Sequence, residues 1–402
     1  MKKIIQRLYF EGLWQERKKR EISIILGARQ VGKSTLLCQL QEKAKKKGLS
    51  TLFFDLEQPS HLRELAGDEE EVIQKLVSSS NIVFIDEFHY LKNASKIFKA
   101  IYDSNRKIKI YASGSSSIEI HKHLKESLAG RFIKTMVYPL SGSELGEIEK
   151  FDHSQYLQWG GLPGLLHQRG SEAKATLLEN ILSTYITKDV KGLIREENVR
   201  AFNTLLYSLA QAQGSISCAS NLARETGLSE STVSRHLELM SQTYVLYALN
   251  SYSTNLANEL KKSKKYYFYD LGIRNILLKD LRKAELREDK GILYETAVLL
   301  QLIPQLKPNM EIRFWRTKKQ EEVDFVLLKN RIPVPIEVKS TLKTPEIPRG
   351  IISFMKRYPK SPFGIVFNTN LEETKMLPDH KKIYFKKWQD STSLSYMKSL
   401  FE

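Results

Sequence analysis

Residues 27–35 read Gly27-Ala28-Arg29-Gln30-Val31-Gly32-Lys33-Ser34-Thr35, set between the apolar stretch Glu21 to Leu26 and a helical pattern that opens at Thr35. These types at this spacing suit a polyphosphate. Gly27 and Gly32 let the chain turn with its N–H groups inward, so that they cradle a β-phosphate at the positive end of the following helix. Lys33 then reaches the β/γ-phosphates, and the Ser34 hydroxyl is placed to ligate Mg²⁺. The strand before and helix after the loop predict bound ATP with Mg²⁺ rather than a plain glycine turn.

A second apolar run, Asn81 to Glu87, ends in two carboxylates, as does a buried parallel strand whose carboxyl end opens on a ligand crevice. Asp86 would hold Mg²⁺ through water and Glu87 would polarise the attacking water. Two successive acids predict hydrolysis rather than binding alone. A further strand, 107–113, runs into Gly114-Ser115-Ser116-Ser117, whose hydroxyls either sense the γ-phosphate or serve only turn chemistry. Arg131, in Leu128-Ala-Gly-Arg131, is the first candidate for a cationic finger after that loop; an ordinary surface arginine is the competing reading.

Four more residues suggest a second metal site. Glu295 falls in the helical stretch Gly291–Leu300, Asp324 in the alternating run Glu321–Leu328, and Glu337 with Lys339 in the strand pattern Pro335–Lys339. Side chains two apart on a strand share a face, so Glu337 and Lys339 point together, and a hairpin partner carrying Asp324 sets its carboxylate beside them. Carboxylates with the Val338 carbonyl suit Mg²⁺, and the lysine would support a water attacking a phosphodiester. Plain cross-strand salt bridges are the other reading.

Around these residues, 1–140 alternate strand and helix patterns, with strands near 21–26, 50–56, 81–86, 107–113 and 131–138. The alternation predicts a parallel sheet covered by helices on both faces. Residues 141–213 read as helical, broken at Gly160-Gly161-Leu-Pro163-Gly164, which is taken as a corner in preference to a hinge. Ala219–Gly227 and Leu228–Met240 read helix, glycine turn, helix, the second helix capped by Ser229 and followed by a β-wing from Tyr244. This matches a winged helix-turn-helix over 214–262. If it reads DNA, Ser231, Thr232, Ser234 and Arg235 would face the major groove; docking of a protein is the alternative. Mixed α/β patterns fill 263–402.

The chain has 402 residues, enough for two or three cores, and carries a net charge of +17 with 63 Lys and Arg against 46 acids. Such an excess favours a polyanion, nucleic acid before a membrane surface. Basic runs such as Arg17-Lys-Lys-Arg20, Lys45–Lys47, Lys261-Lys262 and Lys264-Lys265 read equally well as solvated faces. Cys38 and Cys218 are the only cysteines, far apart and without ligand spacing, which suits a reducing cytoplasm; no apolar run is long enough to span a membrane.

Glu295, Asp324, Glu337 and Lys339, in that order, resemble the PD-(D/E)xK nuclease superfamily, with Val323 where a proline is usual. The whole chain resembles a prokaryotic family of AAA-type P-loop ATPases that carry a C-terminal nuclease-like domain of unknown function. The resemblance rests on 27–35, Phe84–Glu87, Ser113–Ser117, Leu128–Arg131, Tyr269-Asp270-Leu-Gly272, Phe314-Trp-Arg316, Glu322–Phe325 and Ile336–Lys339. It implies ATP binding and an AAA-like sheet, and no substrate. The reading is a cytoplasmic, Mg²⁺-dependent ATPase whose hydrolysis drives or gates a nucleic-acid-binding C-terminal module, with DNA cleavage left open. A regulatory switch or protein-remodelling ATPase with a non-catalytic nuclease-like domain, bound to a protein partner, is the alternative.

Overall fold

Five short runs rich in Ile, Val, Phe and Tyr pair as parallel strands: β1 (Ile22–Gly27), β2 (Thr51–Asp55), β3 (Ile82–Asp86), β4 (Lys109–Ser115) and β5 (Phe132–Met136). Their order is β2-β3-β4-β1-β5. The computed structural model describes residues 5–78, 80–104, 106–115, 128–148, 151–185, 199–253 and 264–392. The chain divides into two units, Met1–Leu140 with Gln242–Tyr244, and Ser141–Ser241 with Val245–Glu402.

In the first unit, parallel pairing demands crossovers, and helices fill them. Ile22, Ile24 and Leu26 of β1 and Val83 and Ile85 of β3 share a core with Val72 and Leu76 of helix Glu69–Val77 and with Ile97, Phe98 and Ile101 of helix Ala94–Asp103. Tyr111, next in register to Phe84 and stacked on it at 5.3 Å, donates its hydroxyl to the Leu13 carbonyl of helix Phe10–Glu16 at 2.7 Å. Helix Lys33–Lys46 packs on β3 and β4 with Leu36, Leu37 and Leu40 buried. Because all five strands run one way, residues that follow β1, β3 and β4 meet at one edge. Residues that precede them meet at the other.

The second unit begins with helices Gly142–Gly146, Ser154–Trp159, Ser171–Thr184 and Val199–Gln211. Helices Ala219–Thr226 and Glu230–Gln242 follow, with Gly227 left-handed between them (φ 72°). A small antiparallel sheet of β6 (Ile216–Ser217), β7 (Leu246–Leu249) and β8 (Lys264–Phe268) has the order β6-β8-β7. After helices Leu271–Leu277 and Lys290–Leu302 comes a mixed sheet of β9 (Met310–Arg316), β10 (Glu322–Lys329), β11 (Ile332–Val338), β12 (Phe363–Asn368), β13 (Glu373–Met376) and β14 (Lys382–Lys387), ordered β13-β14-β12-β11-β10-β9. Asn330 and Arg331, both at positive φ, close β10 onto β11 in a two-residue hairpin.

A break at 262/263 would cut the small sheet, since β8 pairs with both β6 and β7. That return of the chain leaves no trace in local periodicity. Gly160-Gly161 behaves as a corner. Gly161 N–H donates to Asp270 Oδ2 at 2.7 Å, and a Cβ on Gly160 would lie 2.2 Å from Asp270 Oδ1. Burial pushes the Asp270 carboxyl up to about 6, against the N–H groups of Gly161, Ile273 and Gly272 that favour its charge. A Cβ on Gly272 would lie 2.1 Å from the Trp159 carbonyl oxygen. Gly272→Ala is therefore expected to cost about 1–3 kcal/mol in urea denaturation. Gly291→Ala, on a helix with nothing within 4 Å of its Cβ, is the control and should be neutral or mildly stabilising.

Candidate functional site

At the carboxyl edge of the first unit, β1 leads through Gln30 (φ 60°) and Gly32 (φ 92°) into helix Lys33–Lys46, of which Gly32 is the N-cap. Left-handed residues in such a turn gather backbone N–H groups into a concavity suited to phosphate. Gly27 answers a different need: a Cβ there would lie 2.2 Å from the Val137 carbonyl oxygen. Ala28 and Arg29 are half-buried, Val31 is buried, and Ser34 and Thr35 stand exposed on the first helical turn. Lys33, 5 % exposed, donates to the carbonyls of Gly27 (3.2 Å) and Ala28 (3.0 Å), so its ammonium already lies over the loop.

Asp86 closes β3 opposite this loop and accepts from the hydroxyl of Ser113 on β4, with the Ser34 hydroxyl near enough to favour its charge. Burial raises its carboxyl, the two hydroxyls oppose that rise, and Glu87 and Asp55 add repulsion. A carboxylate so placed is short of positive charge, and with the Ser34 hydroxyl it fits Mg²⁺. Glu87 adopts a left-handed backbone (φ 51°) at the end of β3, with His89 Nδ1 3.2 Å from its Oε2. Near the end of β4, Ser113 serves Asp86; Ser116 and Ser117, like Lys261 and Lys262, lie outside the described residues.

Two outcomes depart from the sequence reading. Arg131 is no cis finger: it precedes β5, its carbonyl accepts from Ile22 N–H at the start of β1, and its side chain bonds Asp103 at 2.9 Å. In a parallel sheet that is the edge away from the loop. Arg7 went unnoticed in the sequence, yet it is buried and donates to the carbonyls of Val31 and Tyr138, both at 2.6 Å, pinning the loop from outside. No local pattern signals it, because its acceptors lie 24 and 131 residues away.

In the second unit, Ser229 caps helix Glu230–Gln242 by accepting from Thr232 N–H at 3.2 Å. Ser231, Ser234 and Arg235 stand exposed together, Thr232 is half-buried, and Val233, Leu237 and Met240 face the core.

The hairpin brings Asp324 and Glu337 together as expected: Asp324 Oδ2 accepts from Val338 N–H at 2.8 Å, and Lys339 donates to Glu337 Oε1 at 2.7 Å. Tyr267 donates to Glu295 at 2.5 Å. What the sequence did not disclose is Lys265. This residue of β8 is only 3 % exposed at its side chain, and its ammonium lies 2.5 Å from Glu322 and 3.8 Å from Glu295. Burial acts to lower Lys265, but Glu295, Asp324 and Glu322 outweigh it and hold the lysine protonated. Burial raises Glu295 and Glu337, each further through Asp324. A resident ammonium thus stands beside Glu295 and Glu322, and among the described residues no group of three or more His, Cys, Asp or Glu is placed to hold a metal ion. That ammonium pairs Glu295 within the fold, whereas Glu337 Oε2 is buried without a hydrogen-bond partner. Lys264-Lys265 is likewise not wholly a solvated run: β8 exposes Lys264 and buries Lys265.

Comparison with known proteins agrees with the first unit. Residues 19–146 match the family model of an AAA domain, which supports nucleotide binding and hydrolysis; 150–284 and 290–387 match two domains of unknown function, DUF8612 and DUF4143. The chain is 26% identical over 349 residues to an uncharacterized protein of Mycobacterium tuberculosis, covering 86% of this chain and 76% of that one. It is also 26% identical over 354 residues to an uncharacterized protein of Methanocaldococcus jannaschii, covering 81% and 77%. AMPPCP-bound DnaA from Aquifex aeolicus aligns over 59% of this chain and 88% of its own at 13% identity, with a TM-score of 0.31, too remote to bear on function. The chain therefore carries an AAA-type ATPase domain. Among the described residues no helix is long and apolar enough to cross a membrane.

The Lys265 cluster makes a stability prediction. Lys265→Met strands the half-buried Glu295 and Glu322 without their cation and should cost about 3 kcal/mol at pH 8. Losing the ammonium raises the carboxyl pKa values in the fold further, and such groups contribute stability at low pH that is lost as pH rises. The deficit in guanidinium denaturation should therefore shrink at pH 5; equal deficits at both pH values would count against the cluster.

Proposed function

We propose that the chain is a Mg²⁺-dependent ATPase whose turnover drives or gates a nucleic-acid-binding second unit. One observation carries the catalytic half: the phosphate-binding turn, Lys33, Ser34, Asp86 and Glu87 converge on the carboxyl edge of a single parallel sheet. Gly27 to Thr35 would cradle the phosphates, with Lys33 swinging from its carbonyl partners to the β- and γ-oxygens. Ser34 and Asp86 would hold Mg²⁺, which supplies charge neutralisation at the bridging oxygens when bound. Glu87, held at the strand end beside His89, would orient the attacking water.

The nucleic-acid half rests on the +17 charge and on a helix pair with a β-wing, in which Ser234 and Arg235 stand on one exposed face. We read the helix pair with β6, β7 and β8 as a winged helix-turn-helix, and the chain after β8 as a nuclease-like fold. Lys265 favours a non-catalytic form of that fold, one that binds rather than cuts.

Lys33→Ala should abolish nucleotide binding, and Glu87→Gln should retain it while turnover falls about 100-fold or more. Equilibrium binding of a fluorescent ATP analogue and steady-state phosphate release separate the two. Normal turnover in Glu87→Gln would sink the assignment of the base. In wild type, DNA should stimulate ATP turnover, less so as salt rises, and Arg235→Ala should weaken that response. Indifference to DNA at every salt concentration would move the reading to the protein-partner switch.

A further inference from the structure

We propose that the amino edge of the ATPase sheet is a second polyanion site, a cleft that grips the phosphate backbone of a single nucleic-acid strand. The cleft, about 540 Å³, lies where β1, β3 and β4 begin. Arg17, Lys18, Lys19 and Arg20, the turn after helix Phe10–Glu16, line it together with Arg106, Lys107 and Lys109 from the approach to β4. Its remaining walls are Leu49, Asn81, Ile82 and Ile108, so no acid lines it. This inference rests on the nucleic-acid reading above and puts contact on a surface other than helix Glu230–Gln242.

The cations are held apart from carboxylates and, in part, pre-oriented. No described carboxylate lies within ion-pair distance of any of them, whereas Lys43, Lys75, Arg131, Arg282 and Arg313 each pair with an acid. Arg17 lies over the Trp14 ring at 4.3 Å and gives one N–H to the Trp14 carbonyl; Arg20 lies over Tyr102 at 4.3 Å and bonds the Tyr102 carbonyl. A guanidinium has five N–H donors, so each keeps at least three for a phosphate while its plane is fixed by the ring. Arg131 also approaches Tyr102, at 5.9 Å, but its charge is met by Asp103.

At the floor, Lys109 is 3 % exposed, donates to the Glu21 carbonyl at 2.5 Å, and is lowered by burial to about 8 despite the pull of Glu16 and Glu21. An anion entering the cleft would relieve that buried cation. Shape selects the strand: a duplex carries its phosphates on a convex rod and meets only the rim, while one flexible backbone can descend into a concave groove. β1 is six residues long, so the cleft is roughly 17–20 Å from the phosphate-binding turn and leaves it open. Both can be filled at once.

Lys18, Lys19 and Lys107 are exposed, so reversing them leaves the core untouched. In the full-length chain, Lys18→Glu combined with Lys107→Glu should weaken binding of a fluorescent single-stranded oligonucleotide at least tenfold. The slope of log affinity against log salt should drop by about one to two units, with thermal melting and DNA-free ATP turnover unchanged. Duplex affinity should fall less. If the double variant binds single strands with wild-type affinity and slope while Arg235→Ala weakens them, the cleft is not the site, though the nucleic-acid reading stands. If wild type ignores nucleic acid but binds vesicles of anionic lipid through these lysines, the cleft serves a membrane surface and the proposal is overturned. Wild type that binds neither overturns this inference together with the nucleic-acid reading.

Discussion

A carboxylate removed from water costs free energy unless something positive replaces the water, and both units are organised around that constraint. In the first, Asp86 sits 4 % exposed at the end of β3 with two serine hydroxyls for company, and its carboxyl is raised all the same. Hydroxyl donors soften the penalty without cancelling a charge. The imbalance suits a site that takes up a cation with its ligand, and the surrounding turn, with Lys33 folded over it, is a matching surface for phosphate.

The second unit meets the same constraint from within. Lys265, carried in by β8, brings its own ammonium to Glu322 and Glu295, and Tyr267 on the same strand donates to Glu295. The two stand on one face of β8 because side chains two apart do. The small sheet and the helix Lys290–Leu302 are thereby joined through a charge cluster as well as through packing. Glu337 still has a buried Oε2 without a hydrogen-bond partner, so the compensation is incomplete on the β11 side.

Parallel topology explains why the first unit has two chemically distinct edges. Strand ends that bear Gly27, Asp86 and Ser113 collect at one, while the residues leading into β1 and β4 collect at the other. Arg131 belongs to the second group for that reason alone, and its pairing with Asp103 and its approach to Tyr102 follow from its position just before β5. A residue preceding a strand of a parallel sheet cannot reach the ligand edge within its own chain; that rule was available from the sequence and would have redirected the reading of Arg131.

Local chemistry was written in the sequence wherever neighbours along the chain decide it. The turn at 27–35, the strand ending in Asp86-Glu87, the cap at Ser229 and the hairpin that sets Asp324 beside Glu337 all depend on residues a few positions apart, or on a two-residue turn whose register is obligatory. The tertiary structure alone decided what distant segments bring. Arg7 reaches carbonyls in two loops, Ser113 reaches Asp86 across a parallel pair, and Lys265 comes from a strand 30 residues before Glu295 to stand beside it. Periodicity records which face of a strand is buried, but not which charge waits on the other side of the interface. That depends on how the strands are ordered, and no run of neighbouring residues encodes it.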